Sequence, residues 1–324
     1  MLKTARVYIL LSIILLSGIS SKLYAQNTPI TSETIQIKTH PVTDEASGIK
    51  SNNISRDTLK QIEAILVELP PRTQQTAHHH LAEELIYIVS GKGYTLMWNK
   101  PDGEKIRYDW SEGDMLSPTI NAWHQHVNLS REEPARYLSM SSTPEVLNIF
   151  GDSKFLTSSH YVPEDRWQYS INQEPEYEPV AEAGMGVVRM QIGHHIKDLP
   201  KRQLRNRREN VLGITVRPEG DMAGNQTMEW EVREYLTPDS GSPGHRHPWE
   251  VVYHIMSGEG YVLLEKLDGE RRRVNWKSDD VFLVEADEYH RLVPLENSSP
   301  RIWQVKASGY FHNIGNLGIY DVDR

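Results

Sequence analysis

One long segment of the sequence occurs twice. HHHLAEELIYIVSGKGYTL at 78–96 aligns with HRHPWEVVYHIMSGEGYVL at 245–263, 167 residues later. The register continues beyond this segment, because Trp110 matches Trp276 and His124 matches His290 at an offset of 166. A register held over nearly fifty residues indicates a duplicated domain, so the fold must be built from two similar units.

Each copy has the patterning of β structure. In ELIYIVS (84–90) both alternating faces are largely apolar, which is typical of a strand buried on both sides. GYTLMWNKPDGEKIRYDW (93–110) predicts a hairpin around Pro-Asp-Gly. Short strands separated by frequent turn signals favour a sandwich or barrel. The sequence therefore predicts an all-β fold with few helices, one of them an amphipathic helix at 55–69.

The histidines of the repeat have the spacing of metal ligands. Residues i and i+2 of a strand point to the same face, so His78 and His80 project together and His79 points away. Glu84 joins them if the strand is regular, and His124 comes from a distant strand. The chain has no cysteine, so a metal must be held by N and O ligands, which suit Fe(II), Mn(II), Zn, Ni or Cu.

The second copy repeats the histidines but not the carboxylate. His245, His247 and His290 match the three histidines of the first copy, whereas Val251 stands at the position of Glu84. Glu250 lies one residue too early and aligns with Glu83. We therefore expect the second copy to hold a metal more weakly than the first, or to be a metal-free relic of the duplication.

These motifs resemble those of the cupin superfamily, and the whole chain resembles a bicupin. The first family motif matches His78-x-His80, Glu84 and Gly91, and the second matches Gly113, His124 and Asn128. The resemblance covers about 65–145 and 230–310. It implies two β-barrel (jelly-roll-like) domains, which divide the chain into 26–150 with a leading segment, a linker at 151–190, and 191–324. Where the family has a glycine before the second-motif histidine, Asn121 and Asp287 stand here, and both types tolerate a left-handed turn.

The resemblance leaves the chemistry open among three classes. SPTINAWHQHVN (117–128) is similar to a stretch of gentisate-type dioxygenases, whereas the Glu84 set resembles that of oxalate decarboxylases and quercetin dioxygenases. A dioxygenase acting on a phenolic or oxygen-rich small molecule is the leading expectation. The alternatives are a non-oxidative enzyme (a decarboxylase, lyase or sugar isomerase) and a binding protein without turnover. Fe(II) or Mn(II) is the expected ion, with Glu84 and His124 as the candidate catalytic residues.

The side chains beside the predicted ligands allow alternative roles. His126 either lies beside the site or faces solvent, and Trp123 either walls the pocket or packs at the rim. His79 is expected at the rim, and His254 on the face opposite the ligands. Glu83 points off the ligand face, which makes it a poorer general base than Glu84.

Charge and the N-terminus limit the partners and the location. The net charge of −9 argues against a nucleic-acid surface, so a small-molecule substrate is expected. Residues 1–25 resemble a secretory signal peptide, with Lys3 and Arg6 before an apolar run. We therefore expect a secreted or periplasmic protein without a stable membrane span after cleavage. The apolar outer faces of the central strands predict an interdomain or subunit contact, which leaves a homo-oligomer open; they are formed by Leu85, Tyr87, Val89, Val252 and Met256.

Overall fold

A computed structural model describes most of the chain. It covers residues 30–31, 33–44, 48–56, 58–172, 176–180, 185–189, 193–194, 211–216, 225–235, 241–315 and 320–321. The expected signal peptide lies outside these residues. Within them, no helix has the length and apolar character needed to cross a membrane.

As far as residue 141, the regular elements in the described part of the chain are strands. In chain order they are β1 (Ile30–Thr31), β2 (Ile35–Gln36), β3 (Thr43–Asp44), β4 (Lys50–Asn53), β5 (Glu63–Leu69), β6 (Glu84–Ser90), β7 (Lys92–Trp98), β8 (Ile106–Ser111), β9 (Met115–Leu116), β10 (Trp123–Asn128) and β11 (Ala135–Ser141). Three helices follow: α1 (Thr143–Phe150), α2 (Phe155–Ser158) and α3 (Glu164–Asn172).

The second half repeats this arrangement. A connecting part contains β12 (Glu176–Val180), β13 (Met185–Arg189) and β14 (Gly193–His194). The later elements are β15 (Val211–Val216), β16 (Glu229–Tyr235), β17 (His245–Arg246), β18 (Val251–Ser257), β19 (Glu259–Glu265), β20 (Arg271–Lys277), β21 (Asp280–Val284), β22 (Tyr289–Pro294), β23 (Arg301–Lys306), α4 (Ser308–Asn313) and β24 (Tyr320–Asp321).

Each half forms one two-sheet barrel. Barrel one combines the sheet β14-β9-β6-β11-β5-β4-β3 with the sheet β10-β7-β8. Barrel two combines β1-β20-β19-β22-β17-β24 with β15-β16-β23-β18-β21-β2. The expected all-β architecture of two barrel domains with few helices is confirmed.

The two halves exchange short strands, which corrects the expected domain boundaries. β1 and β2, assigned from the sequence to the first domain, pair with β20 and β21 of barrel two. Conversely, β14 pairs with β9 of barrel one. The first part of the leading segment, β1 and β2, therefore belongs in space to the second barrel, whereas β3 and β4 remain with the first. Local patterning does not record such a long-range pairing.

The predicted helix at 55–69 is wrong. Its second part is β5, which pairs with β4 on one side and with β11 on the other. Alternate side chains of EAILVEL are buried at its start, as the strand period requires. Pairing with a strand on each side, which forms only in the folded barrel, outweighs the helical pattern of this segment.

Two glycines in each copy are required by close packing and by turn geometry. Gly91 lies between β6 and β7 and Gly258 between β18 and β19, with φ values of 86° and 87°, in the left-handed region. A Cβ on Gly93 would lie 2.3 Å from the indole of Trp110, and one on Gly260 would lie 2.3 Å from that of Trp276. The repeated Gly-x-Gly thus bends the chain and makes room for one buried indole in each barrel.

The outer faces of the central strands pack the barrels against each other. Tyr87 of β6 lies with its ring centroid 4.5 Å from that of His254 and 5.3 Å from that of Trp303. Leu85 and Val89 share one buried cluster with Val252 and other residues of barrel two. The apolar outer faces thus form the interdomain contact within this chain, one of the two contacts that the sequence predicted.

Part of the stretch 151–190, expected to be a linker, packs on barrel one. Val162 and Trp167 share a buried cluster with Met97 of β7 and Ala122. The amide nitrogen of Asn121 donates to the carbonyls of Ser159 (3.0 Å) and Tyr161 (2.7 Å). This stretch therefore covers the end of the barrel at which β10 begins.

Candidate metal centres

Barrel one brings its three predicted histidine ligands together. His78 and His124 are paired across an isolated β-bridge, and His80 lies on the same side. One ring nitrogen from each of the three lies within 4.8 Å of the others. Two histidines from a short segment and one from β10 thus meet at one end of the barrel.

Backbone carbonyls orient all three imidazoles. Nδ1 donates to the carbonyl of Thr76 in His78, of Ala82 in His80 and of Ala122 in His124, each at 2.9 Å. Because Nδ1 carries the proton, Nε2 keeps its lone pair. Each ring is therefore held in the tautomer and orientation that a metal ligand needs.

Glu84 completes the set. Its Oε2 lies 3.4 Å from His80 Nε2 and 3.5 Å from His124 Nε2, and its Oε1 accepts the Ser139 hydroxyl at 2.5 Å. Glu84 is the first residue of β6, so its side chain projects beside the histidines at the start of the strand. This is the position that the motif spacing predicted.

The four side chains fit a bound cation. Glu84 Oε2 and His124 Nε2 are buried without a hydrogen-bond partner. Ligand atoms about 2.1 Å from a common ion lie about 3.0–3.4 Å apart, which matches the spacings around Glu84 Oε2. A buried carboxylate oxygen and buried imidazole lone pairs that converge without a hydrogen are stabilised by a cation.

Burial and charge set the protonation of this group. Burial lowers the pKa of His78, and burial together with the neighbouring histidines holds the pKa of His124 well below its usual range. Burial opposes ionisation of Glu84, but its contacts with His80 and His124 outweigh burial and lower its pKa. Burial opposes protonation of His80, but its contact with Glu84 outweighs burial and raises its pKa. The set therefore offers an ionised carboxylate beside two imidazoles, His78 and His124, that favour the unprotonated form.

Barrel two repeats the histidine cluster in the same geometry. His245, His247 and His290 also bring one ring nitrogen each within 4.8 Å of the others. Their Nδ1 atoms donate to the carbonyls of Pro243 (2.8 Å), Trp249 (2.7 Å) and Glu288 (3.0 Å). Each acceptor is two residues from its histidine, in the same direction as in barrel one, so the fold dictates this orientation in both copies.

The carboxylate has no equivalent on the ligand face of barrel two. Val251 begins β18 as Glu84 begins β6, and it is fully buried. Its neighbour across β23 is Lys306, where Glu84 has Ser141. This cluster therefore lacks the negative charge and the fourth ligand of barrel one.

Glu83 and Glu250, which precede Glu84 and Val251, each form hydrogen bonds to the opposite barrel; we call these contacts the clasps. Glu83 accepts the backbone N–H groups of Gln226 (2.6 Å) and Thr227 (2.7 Å), just before β16. Glu250 accepts those of Lys60, Gln61 and Ile62 at 2.6, 2.6 and 3.0 Å, just before β5. Both carboxylates thus point away from the ligands, as the sequence predicted for Glu83, and join the domains reciprocally.

The structure decides the open positions around the site. His79 is buried rather than at the rim, with its ring centroid 4.2 Å from that of Trp123 and its Nδ1 3.0 Å from Asn121 Oδ1. Trp123 stacks on Trp98 outside the barrel and does not wall the pocket. Asn121 and Asp287 have φ of 60° and 59°, which confirms their left-handed turns. His126 is buried, and His254 lies on the face opposite the ligands.

Three polar residues of barrel one escaped the sequence-based prediction. Ser139 and Thr95 line the interior, and Glu63 begins β5 beside the site. Glu63 and Glu84 are both Cα partners of Ser141, so they flank it on neighbouring strands. Assigning 63–69 as a strand from its alternating pattern would have placed Glu63 on this face.

The interior of barrel two contains an ionic network instead. Lys306 Nζ lies 3.1 Å from Glu231 Oε1 and 3.7 Å from Glu229 Oε1. Arg233 Nη2 lies 2.5 Å from Glu231 Oε2, and Gln304 also donates to that carboxylate. These side chains occupy positions that correspond to Glu63, Ile65, Val67, Ser139 and Ser141 of barrel one.

Known families and folds agree with this geometry. The Cupin domain family model matches residues 65–141, which include all four ligand positions of barrel one. The chain as a whole has a bicupin fold. No curated protein sequence matches this chain. Its structure is similar to the oxalate decarboxylase–formate complex of Lactobacillus farciminis, with a TM-score of 0.55 and 14% identity over 87% of each chain.

A second group of similar structures comes from Bacillus subtilis. Its oxalate decarboxylase at pH 4.6 matches with a TM-score of 0.54 and 14% identity over 85% of this chain and 76% of that chain. A structure concerned with the Mn(II) centres of the same enzyme matches with a TM-score of 0.53 and 14% identity, covering 91% and 78%. At this identity the likeness establishes the shared fold. The local likeness of 117–128 to gentisate-type dioxygenases stays a prediction.

Proposed function

We propose that this bicupin is a metal-dependent enzyme that acts on a small carboxylic acid without net oxidation, by decarboxylation. The observation that carries the proposal is the set of three histidines and Glu84 in barrel one. The likeness of the fold to oxalate decarboxylases supports it. The sequence favoured a dioxygenase, with this class as the alternative; the similar structures support the alternative.

The ion would be held by His78, His80, Glu84 and His124. Mn(II) or Fe(II) suits this mixture of imidazole and carboxylate, and the Mn(II) centres of a similar structure favour manganese. When bound, such an ion supplies Lewis-acid polarisation of a substrate oxygen. One carboxylate against a divalent charge leaves the centre positive, which favours an anionic substrate.

The other residues of barrel one would hold and shield the substrate. Ser139 fixes one oxygen of Glu84, so the other oxygen stays directed at the histidines. The interior beyond the ligands is closed by a buried apolar cluster that includes Ile86, Ile88 and Leu116. Such a lining excludes water, which strengthens the electrostatic contacts made within the site.

Glu63 is the residue that we propose as the proton donor. In a decarboxylation the electron pair of the broken C–C bond stays on the substrate carbon, which takes up one proton as CO₂ leaves. Burial and the charge of Glu84 raise the pKa of Glu63, whose Oε1 accepts the amide of Asn53 at 2.9 Å. A carboxyl of raised pKa beside the site retains a proton at higher pH than an exposed one.

The test follows both gases in one assay. The full chain, loaded with Mn(II) or Fe(II), is incubated with a panel of mono- and dicarboxylic acids and phenolic acids. CO₂ release without net O₂ uptake is the expected result. O₂ consumed in proportion to product would make the protein a dioxygenase, and tight binding of an acid without turnover would make it a binding protein.

We also propose that the protein is exported. The charged, apolar and small-residue series at 1–25 supports this location, and we expect the mature chain to begin near Gln26. Intact-mass spectrometry of the protein purified from outside the cytoplasm tests it. Retention of residues 1–25 would contradict cleavage.

A further inference from the structure

His126 is a buried imidazole inside barrel one that the ligand set does not use. It follows His124 by two residues on β10, so both side chains point to the same face. Their ring centroids lie 5.7 Å apart, and His126 is only 2% exposed. The His126 ring therefore lies inside the barrel, two residues further along β10 than the candidate metal ligand His124.

A chain of hydrogen bonds fixes the tautomer of this ring. The indole N–H of Trp110 donates to Thr95 Oγ1 at 3.1 Å, and Thr95 Oγ1 lies 2.7 Å from His126 Nδ1. Among the residues that the structure describes, His126 Nδ1 is the one acceptor for the Thr95 proton. Because a hydroxyl has a single proton, Nδ1 accepts it and the ring proton is on Nε2.

In the described part of the chain no acceptor lies within hydrogen-bond distance of this Nε2–H, and the residue as a whole is only 2% exposed. A donor that the protein itself does not pair can bind an acceptor oxygen of a ligand. The donor lies in the interior of the barrel that carries Glu84.

Barrel two shows that the fold does not need this arrangement. Val262 and Leu292 stand at the positions of Thr95 and His126. The matching indole, Trp276, leaves its Nε1 buried without a hydrogen-bond partner. The polar pair is therefore present only in the barrel that also has the fourth ligand.

We infer that His126 donates its Nε2–H to an acceptor oxygen of the molecule bound at the barrel-one centre, and that Thr95 positions it. The inference rests on the proposed function, since it assumes that a small oxyanion binds there. The ligand class is a carboxylate-bearing molecule with one oxygen at the histidine–Glu84 cluster and a further acceptor oxygen directed at His126. A ligand with only apolar groups beyond its first carboxylate would lose this contact.

The tautomer is tested first, without any ligand. The full chain with ¹⁵N-labelled histidine is loaded with Zn(II), and the His126 signals are assigned by their loss in His126→Leu. We expect an unprotonated Nδ1 and a protonated Nε2. A proton on Nδ1 would overturn the inference and leave the proposed function intact.

Ligand binding is tested second, with oxalate and formate as the probes. Calorimetry of the Mn(II)-loaded chain should give a Kd for oxalate about tenfold higher in His126→Leu. Thr95→Val should raise it severalfold, and Thr95→Ser, which keeps the hydroxyl, should stay within about twofold. Formate, whose two oxygens belong to one carboxylate, should be affected less.

The variants carry their own folding control. Thr95→Val with His126→Leu reproduces the pair found in barrel two, so the double variant should fold and keep its metal content. Oxalate binding equal to wild type in His126→Leu would overturn the inference alone. No binding of either probe by the loaded wild type would remove the proposed function, and the inference with it.

Discussion

Barrel one and barrel two hold the same three histidines in the same orientation, yet their interiors differ. In both, each Nδ1 donates to a carbonyl two residues away, with the same directions. Barrel one adds a carboxylate at the ligand face, whereas barrel two has Val251 there and Lys306 beside it. The backbone shared by the two barrels sets the orientation of the imidazole rings. Single substitutions at equivalent strand positions determine the charge beside them.

This difference favours barrel one as the site of the proposed chemistry. Barrel one has a buried carboxylate oxygen without a hydrogen-bond partner, Glu84 Oε2, among its candidate ligand atoms. In barrel two the charged side chains pair with one another, as Lys306 and Arg233 do with Glu231. An interior whose charges are already paired is suited to rigidity, and one with unmatched groups is suited to a bound ion and ligand.

The largest effect should come from removing the carboxylate of barrel one. Glu84→Gln keeps the shape and removes the charge that holds the ion, so we expect turnover and barrel-one metal affinity to fall at least about 100-fold. Elemental analysis and steady-state kinetics measure both. The matched control is Glu83→Gln, which leaves the ligand face intact. Unchanged turnover and metal content in Glu84→Gln would make Glu84 a wall residue and favour a three-histidine site.

A second effect concerns the reciprocal clasps. Glu83→Ala and Glu250→Ala each leave two or three backbone N–H groups buried without an acceptor, so each should lower the free energy of unfolding by about 3 kcal/mol. Denaturant unfolding of the two variants measures this. The exposed Glu132→Ala is the control. If only one of the two variants lost stability, the two glutamates would not contribute equally to the contact between the barrels.

A smaller effect should appear when barrel two is given the missing ligand. Val251→Glu places a carboxylate at the first position of β18 beside His247 and His290, and Lys306→Ser copies the neighbour found in barrel one. The double variant should bind Mn(II) in barrel two about tenfold more tightly than wild type. Titration in a His80→Ala background isolates this barrel. No gain would indicate that the ionic network, rather than Val251, limits the site.

The sequence predicted the duplication, the barrels and the ligand positions because these depend on local spacing. The i, i+2 spacing predicted that His78 and His80 share a face, and the structure brings them together although only His78 takes part in a β-bridge. The repeat placed His124 with them. The sequence did not predict that β1 and β2 join barrel two, because that pairing connects residues more than 200 positions apart. It also assigned a helix to β5, whose identity depends on two neighbouring strands.

The roles of the glutamates show the same limit. Glu83 and Glu84 differ by one residue, and the strand period separates their faces correctly. What Glu83 does instead could not be predicted, since its partners, Gln226 and Thr227, precede a strand of the other barrel. The polar pair of Thr95 and His126 likewise becomes visible only when β7 and β10 are paired.

The smallest expected effect is on the pH dependence of stability, and it comes from a difference between α1 and α4, the helices that follow the last strand of each barrel. Glu145 of α1 is buried with neither carboxylate oxygen hydrogen-bonded, whereas the matching residue of α4 is Tyr310. Burial, with the charges of Glu83 and Glu250, raises the pKa of Glu145 to about 8. The folded protein therefore keeps a proton that the unfolded chain loses from about pH 4.5.

Stability should consequently decrease as the pH rises from about 4.5 to 8, because the native state binds more protons than the unfolded state in this window. Below it the contribution of Glu145 is fully present, and above it that contribution is lost. Glu145→Gln, which stays neutral, should flatten this slope and raise the free energy of unfolding at pH 9 by at least about 1 kcal/mol. Denaturant unfolding at pH 5, 7 and 9 measures the slope, with Glu132→Gln as the exposed control. A slope unchanged by Glu145→Gln would assign the pH dependence to the clasps of Glu83 and Glu250, whose pKa values burial also raises.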